Sequence, residues 1–367
     1  TTRSAEWIRA AYDNQYLQDL HLAIGPEHGR RPSDCWRYFQ TLTVSGSLAE
    51  APLTNFPLFV QITNAASEVF ARALPDGSDI YFTPAGSEER LDHELEYYAA
   101  GASPRLDAWV RVPLLAAGAC TELRMVYGNP AAARQENAGG VWDEHFKMVQ
   151  HLKETGVGAR YDSTLNNADT TAHSLGGDEV FLGPLGRALL LDGTKSDILT
   201  VDNDVLDIPG SITIECWLQP NITAAGSALG QYYGGNKLAR HAEARHWYSF
   251  SVDGNSLSYV KPGADPNPWA HMAITYDGSH RRCFSNGAVV YSDAVTGVRS
   301  YYTHKWQIGG SGDDVVGFLG HLDEIRISDI ARSDAWIKAS YNNQRDPEAC
   351  LAFGRQISLI PSGTLLF

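Results

Sequence analysis

The chain has 367 residues, 43% hydrophobic and 20% charged, with a formal net charge of −14 at pH 7. Such a length houses two domains that each bury a core, and the composition excludes a disordered chain. The acidic balance without any Lys/Arg cluster excludes a nucleic-acid partner, and no apolar run reaches the roughly 18 residues of a membrane-spanning helix.

Strong acidity suits solubility, divalent cations or a neutral ligand such as a sugar. The 34 Gly and 17 Pro, with nine Trp, 17 Tyr and 12 Phe, favour short strands joined by tight turns. Five cysteines, Cys35, Cys120, Cys216, Cys283 and Cys350, lie far apart and form no CxxC pair, which excludes a zinc knuckle. Most are expected to be buried small apolar residues, with a Cys216–Cys283 disulfide left open. The opening Thr1-Thr2-Arg3 lacks Met, as expected of a mature or excised piece.

In chain order, the first element is a tail-like segment over 1–25. Its RSAEWIRAAYDNQ (3–15) returns as RSDAWIKASYNNQ (332–344), and Leu22-Ala23-Ile24-Gly25 returns as Leu351-Ala352-Phe353-Gly354. Without a gap, 11 of 23 paired positions are identical, where composition alone gives about one or two. Ser4 and Ser333 suit helix N-caps, and the apolar stripe predicts a short helix followed by a strand. Trp7, Ile8, Tyr12 and their counterparts Trp336, Ile337 and Tyr341 are the candidate assembly residues. Two explanations stay open: a tandem array of which this chain is one period, or a segment that docks on its own first domain or on a neighbouring subunit.

Next, after a connector at 25–32, residues 33–155 predict an antiparallel sandwich with strands at 36–44, 56–62, 80–83, 91–98, 108–112 and 122–127. Residues 141–154 predict a helix with Trp142, Phe146, Val149 and Leu152 on its apolar side. Glu94 and Glu96 share one strand face, so a pair of carboxylates for glycoside hydrolysis stands against a plain solvated face. Asp76 and Asp79 flank Gly77 in a turn that holds a cation or caps itself. The pieces WRYFQTLTV, LTNFPLFVQIT, DGSDIYFT, HELEYY, AWVRVPLL, MVYGNP and VWDEHFKMVQHLKE resemble a bacterial domain family of unknown function. In secreted proteins this family often precedes a laminin-G-like domain. The resemblance implies an extracellular sandwich and transfers no catalytic residue.

A polar linker over 156–186 then leads into a second all-β domain, 187–354, with a strand or tail at 355–367. Here LLLDGTKSDILTV, GSITIECWLQP, PWAHMAITYDG, RRCFSNGAVV, WQIGG and GHLDEIRISDIARS, in that order, resemble the laminin-G-like, concanavalin A-like jelly roll. The resemblance implies one structural Ca²⁺ at a sheet edge, with Asp192 and Asp323 as candidate ligands. Trp217 and Trp269 are expected in the sandwich core, with His271 structural beside them. Adjacent Asp323 and Glu324 are expected on opposite faces, which disfavours a catalytic pair. Sugar-stacking and hydroxyl-bonding candidates are Tyr232, Tyr233, Asn236, Arg245 and Trp247, with Tyr301 and Tyr302 as further candidates; His241, Glu243 and His246 could clamp a metal.

The expected fold class is therefore all-β: two antiparallel β-sandwich (jelly-roll) domains with short helical segments. Three functions fit. The first is an extracellular surface or filament structural protein, one period of a repeat-containing polypeptide, partnered by other copies of itself or by adjacent units. The second is a secreted carbohydrate-binding or adhesion module for a polysaccharide. The third is a polysaccharide-degrading enzyme, which the missing catalytic spacing disfavours.

Overall fold

Short runs of alternating apolar residues, punctuated by Gly and Asp-Gly, form 21 strands among the described residues. The computed structural model describes Ser4 and residues 36–359, except 172–179, 184, 195–197, 221–225, 232–235, 242–244, 263–268, 300–304 and 311–316. The chain is all-β, with antiparallel sheets stacked as two sandwiches and a few short helices.

The first sandwich contains β1 (Tyr38–Val44), β2 (Leu53–Ile62), β3 (Tyr81–Pro84), β4 (His93–Ala99), β5 (Arg105–Leu115) and β6 (Thr121–Tyr127). One sheet runs β1-β6-β3 and the other β2-β5-β4. Short helices α1 (Val69–Arg72) and α2 (Ala138–Val141) fill its turns. Next comes β7 (Phe146–Gln150).

An eight-stranded sheet dominates the second sandwich. It takes in β7, β8 (Val180–Gly183), β9 (Gly186–Asp192), β11 (Ile212–Pro220), β16 (Ala270–Tyr276), β17 (His280–Ser285), β18 (Ala288–Ala294) and β20 (Leu319–Ser328). Facing it is a six-stranded sheet of β10 (Leu199–Val201), β12 (Gly226–Gln231), β13 (Lys237–His241), β14 (Arg245–Val252), β15 (Asn255–Val260) and β19 (Trp306–Ile308). After β20 come α3 (Asp334–Arg345), α4 (Pro347–Cys350) and β21 (Leu351–Ser358).

Strand alternation in β11 explains how the two sandwiches meet. Ile212, Ile214, Cys216 and Leu218 pack into the core between the eight- and six-stranded sheets. Trp217 points the other way, into the core shared with the first sandwich, and Glu215 on the same face is also buried. The eight-stranded sheet is thus covered on both sides. Trp217, expected in the jelly-roll core, instead packs the seam between the sandwiches.

Two further expectations change. Residues 141–154 are not a helix: the apolar spacing looked helical, but 146–150 are claimed as a strand by β20, with Val149 opposite Arg326 and Gln150 opposite Ile325. Met148 joins the jelly-roll core and Val149 the seam core, a period of two. The expected linker is also partly structured. Its buried Asp162 accepts from the amides of Val149 (2.8 Å), Thr164 (3.0 Å) and Ala168 (2.9 Å), and β8 follows.

Candidate functional site

The C-terminal copy of the repeat clasps the seam. Ser333 caps α3 by accepting from the Trp336 amide at 3.2 Å, while Asp334 and Arg345 complement the helix dipole. From this helix Trp336 meets Phe56 of β2 edge-on at 5.1 Å, and Tyr341 stacks on Trp217 of β11 at 5.7 Å. A side chain at Gly287 would collide with Tyr341, and the φ of +74° there also suits glycine. One helix therefore holds one ring from each sandwich.

Polar groups on α3 are matched as closely. Asn343 brackets Phe59: its Oδ1 accepts from the Phe59 amide at 2.7 Å and its Nδ2 donates to the Phe59 carbonyl at 2.9 Å. Gln344 Oε1 accepts from Trp217 Nε1 at 2.5 Å. Just before the helix, Arg332 donates twice to Asp143 (2.7 and 3.0 Å) and lies over Phe146 and Trp336. Burial works against the Asp143 charge, but the Arg332 hydrogen bonds and charge outweigh it and hold the carboxyl below its ordinary range.

Beyond α4, β21 adds an edge strand to the first sandwich. It pairs antiparallel with β1 from Tyr38↔Ser358 to Val44↔Leu351. The far end of the chain thereby completes the sheet with which the described fold begins.

Beneath the clasp lies a buried charge network. Glu94 and Glu96 both face it from β4, as the two-residue spacing implies, with a bulge after Leu95. Glu94 accepts from Ser163 Oγ (2.9 Å) and Trp142 Nε1 (3.4 Å), is ion-paired to Lys153, and lies 3.3 Å from His151 Nε2. Glu96 Oε2 accepts from Trp109 Nε1 at 2.8 Å. From the second sandwich, Glu324 Oε1 lies 2.5 Å from His151 Nδ1, while its Oε2 pairs with Arg326. The Arg326 guanidinium is sandwiched over Trp109 and Trp142, at 4.3 and 5.1 Å from the ring centroids.

The expected opposition of Asp323 and Glu324 does not hold. Glu324 has φ +52°, and the β11–β20 register slips between Glu215 and Trp217. The bulge turns both acids away from the jelly-roll core, which keeps Leu322, Ile325 and Ile327. Such a backbone conformation is costly for a non-glycine residue, so the surroundings hold it in place.

Electrostatics sorts these groups. Burial disfavours the Glu94 charge, yet His151 and Lys153 outweigh it and hold that carboxyl low. Burial and the neighbouring Glu324 push Glu96 and Asp323 well above the usual carboxylate range. Burial opposes a charge on His151, but Glu324 and Glu94 raise it to about 10. Glu94 and Glu96 are only 4% and 6% exposed, so neither lines an open cleft that a polysaccharide could enter.

The remaining candidates are dispersed. Asp192 is exposed, with Oδ1 accepting from the Thr194 amide at 2.7 Å. It pairs with Leu319, four residues before Asp323 on β20, so roughly 13 Å of strand separates the two aspartates. They do not fit a shared calcium ion. Asp79 is a tie rather than a cation ligand: its carboxylate accepts from the Leu74, Gly128 and Asn129 amides at 2.7, 2.9 and 2.9 Å. Cys216 and Cys283 are free thiols in the core, not a disulfide.

Asn236 is occupied inside its hairpin, donating to Gln231 and accepting from the Ser251 amide. Arg245 is half-buried; Trp247, also half-buried, donates to Ser258 and carries the Lys237 ammonium over its ring. His246 is buried with Nδ1 3.0 Å from Ser285 Oγ. Trp7, Ile8, Tyr12, Tyr232, Tyr233, Glu243, Tyr301, Tyr302 and the His241 side chain lie outside the described residues.

Sequence reasoning takes His151 for a packing or capping residue and misses Lys153, Asp143, Arg326, Asn343 and Gln344. For the last two a signal existed: both recur in the N-terminal copy, as Asn14 and Gln15. The others gave none, because their partners come from distant strands.

Comparison with known proteins places two families on this frame. The model of a domain of unknown function, DUF2341, matches residues 76–157, and that of the concanavalin A-like lectin/glucanases superfamily, Laminin_G_3, matches residues 192–338. No curated protein matches the chain. Among solved structures, the binding domain of Paraclostridial Mosquitocidal Protein 1 is 13% identical with a TM-score of 0.45, covering 55% of this chain and 52% of that one. The binding domain of botulinum neurotoxin serotype G is 13% identical with a TM-score of 0.42, covering 54% and 51%. Domain 4 of AbnA, an extracellular arabinanase from Geobacillus stearothermophilus, in complex with arabinotriose, is 17% identical with a TM-score of 0.32, covering 43% and 78%. The chain thus matches about half the length of the two toxin binding domains. It carries a DUF2341 domain followed by a concanavalin A-like domain, and among the described residues no helix is long and apolar enough to cross a membrane.

Proposed function

We propose that this chain is a structural module of an extracellular surface or filament, and that residues 3–25 are a second docking element for the seam of a neighbouring unit. The supporting observation is where the two copies agree. In 332–344 the identical positions are Arg332, Ser333, Trp336, Ile337, Ala339, Tyr341, Asn343 and Gln344. All are buried except Ser333, which caps the helix. Of the five that differ, only Ser340, which is Ala11 in the first copy, is buried. A copy that kept only a helix would keep any apolar stripe; this one also keeps the residues that bond Asp143, Phe59 and Trp217.

The described seam already holds one element, 332–358, so the matching face of 3–25 suits a seam in another unit of the same kind. A peptide of residues 3–25 with a photo-crosslinker at Ile8, mixed with the full chain carrying Trp336→Ala, is expected to label the β2 and β11 strands. Excess 332–358 peptide should block it. Absence of labelling, or labelling elsewhere, would overturn the reading.

A carbohydrate-recognition role has separate support from the lectin-containing superfamily match and from the half-buried Trp247. In that reading Tyr232, Tyr233, Asn236, Arg245 and Trp247 would frame the ligand, and glycan-array binding lost on Trp247→Ala would favour it.

A further inference from the structure

We propose that Glu96, His151 and Glu324 are the ligands of a divalent transition-metal ion that pins the two sandwiches together across their seam. Among the described residues they form a group that can offer one ligand atom each, all within 4.8 Å of one another. Glu96 comes from β4, His151 follows β7, and Glu324 sits on the β20 bulge, so the ion would join three distant segments. All three are buried.

Each ligand is already held from behind. His151 Nε2 lies 3.3 Å from Glu94 Oε2, so a proton on Nε2 would be shared with Glu94, leaving the Nδ1 lone pair for a metal. This is the carboxylate–histidine–metal arrangement that fixes ring tautomer and orientation. Trp109 Nε1 holds Glu96 Oε2, and Arg326 holds Glu324 Oε2. Glu96 Oε2, 3.7 Å from His151 Nδ1, and Glu324 Oε1 both face that nitrogen. Glu324 Oε1 now shares a proton with His151 Nδ1, the bond an ion would replace.

Two observations favour a cation here. Glu96 Oε1 and both carboxylate oxygens of Asp323 are buried without a hydrogen-bond partner. Glycine backbone backs both: a Cβ on Gly186 would strike Glu96 Oε1, and one on Gly183 would crowd Asp323 Oδ2. Charge gives the second reason. Four buried carboxylates (Glu94, Glu96, Asp323 and Glu324) face two permanent cations, Lys153 and Arg326. A divalent ion beside a neutral imidazole balances the deficit, where protons must otherwise do so. One imidazole nitrogen with carboxylate oxygens suits Zn²⁺ or Mn²⁺ better than Ca²⁺ or Mg²⁺.

The test is refolding of the full chain into EDTA, Zn²⁺, Mn²⁺, Ca²⁺ or Mg²⁺, followed by gel filtration, metal analysis and thermal melting. About one Zn²⁺ or Mn²⁺ per chain is expected to survive gel filtration and raise the melting temperature by about 5 °C or more, with proton release on binding. Glu96→Gln, which preserves shape, should abolish both effects, as should His151→Gln if it folds; Asp192→Asn should keep them. A chain that melts identically in EDTA and in every metal, or that retains metal equally in Glu96→Gln, would overturn the proposal.

Discussion

Trp336→Ala is expected to destabilise the folded chain by about 3–5 kcal/mol, the cost of truncating a buried Trp. Several contacts depend on this one ring. It packs edge-on against Phe56, lies under the Arg332 guanidinium, and is 5% exposed. Its loss also leaves Arg332 and Asp143 less sheltered at the entrance to α3. Denaturant melts followed by Trp fluorescence would measure the effect. Lys338→Ala on the outer face of α3, whose partner Glu50 is exposed, should change stability by no more than about 0.5 kcal/mol. If the two substitutions cost the same, α3 is not the clasp.

The second large effect concerns the buried network. Arg326→Met should cost about 3–5 kcal/mol, because it strips the buried Glu324 Oε2 of its guanidinium and leaves His151 as that carboxylate's remaining cation. The double substitution Arg326→Met with Glu324→Gln should recover a good part of that loss, since neither charge is then stranded. Urea melts of the wild-type chain, both single variants and the double variant form a double-mutant cycle that reads the coupling directly. A double variant that loses the sum of the single losses would mean that the pair does not act as a unit.

How much of this was legible in the sequence depends on how far each contact reaches. Strands of the first sandwich follow from local alternation, and α3 follows from its cap and stripe. The stretch 141–154 misled because a 3–4 spacing of Trp142, Phe146, Val149 and Leu152 also fits a strand that is buried on both faces. Its real determinant is β20, whose paired residues lie about 180 positions further along the chain. The acids of β4 and β20 misled for a related reason. A charged residue on a strand normally marks a solvent face, but here the other sandwich covers that face. Asp323 and Glu324 could not be placed without the bulge, which no local pattern announces. The repeat, by contrast, was visible at once, and the clasp geometry explains which of its positions are held in common.

The most direct measurement replaces residues 332–354 of the full chain with the sequence of residues 3–25 and compares thermal melts. Should the two segments be interchangeable keys for one seam, the chimera melts within a few degrees of the parent, and Trp→Ala at the transplanted Trp7 position destabilises it as Trp336→Ala destabilises the parent. A chimera that fails to fold, or that tolerates loss of that tryptophan, would contradict the account.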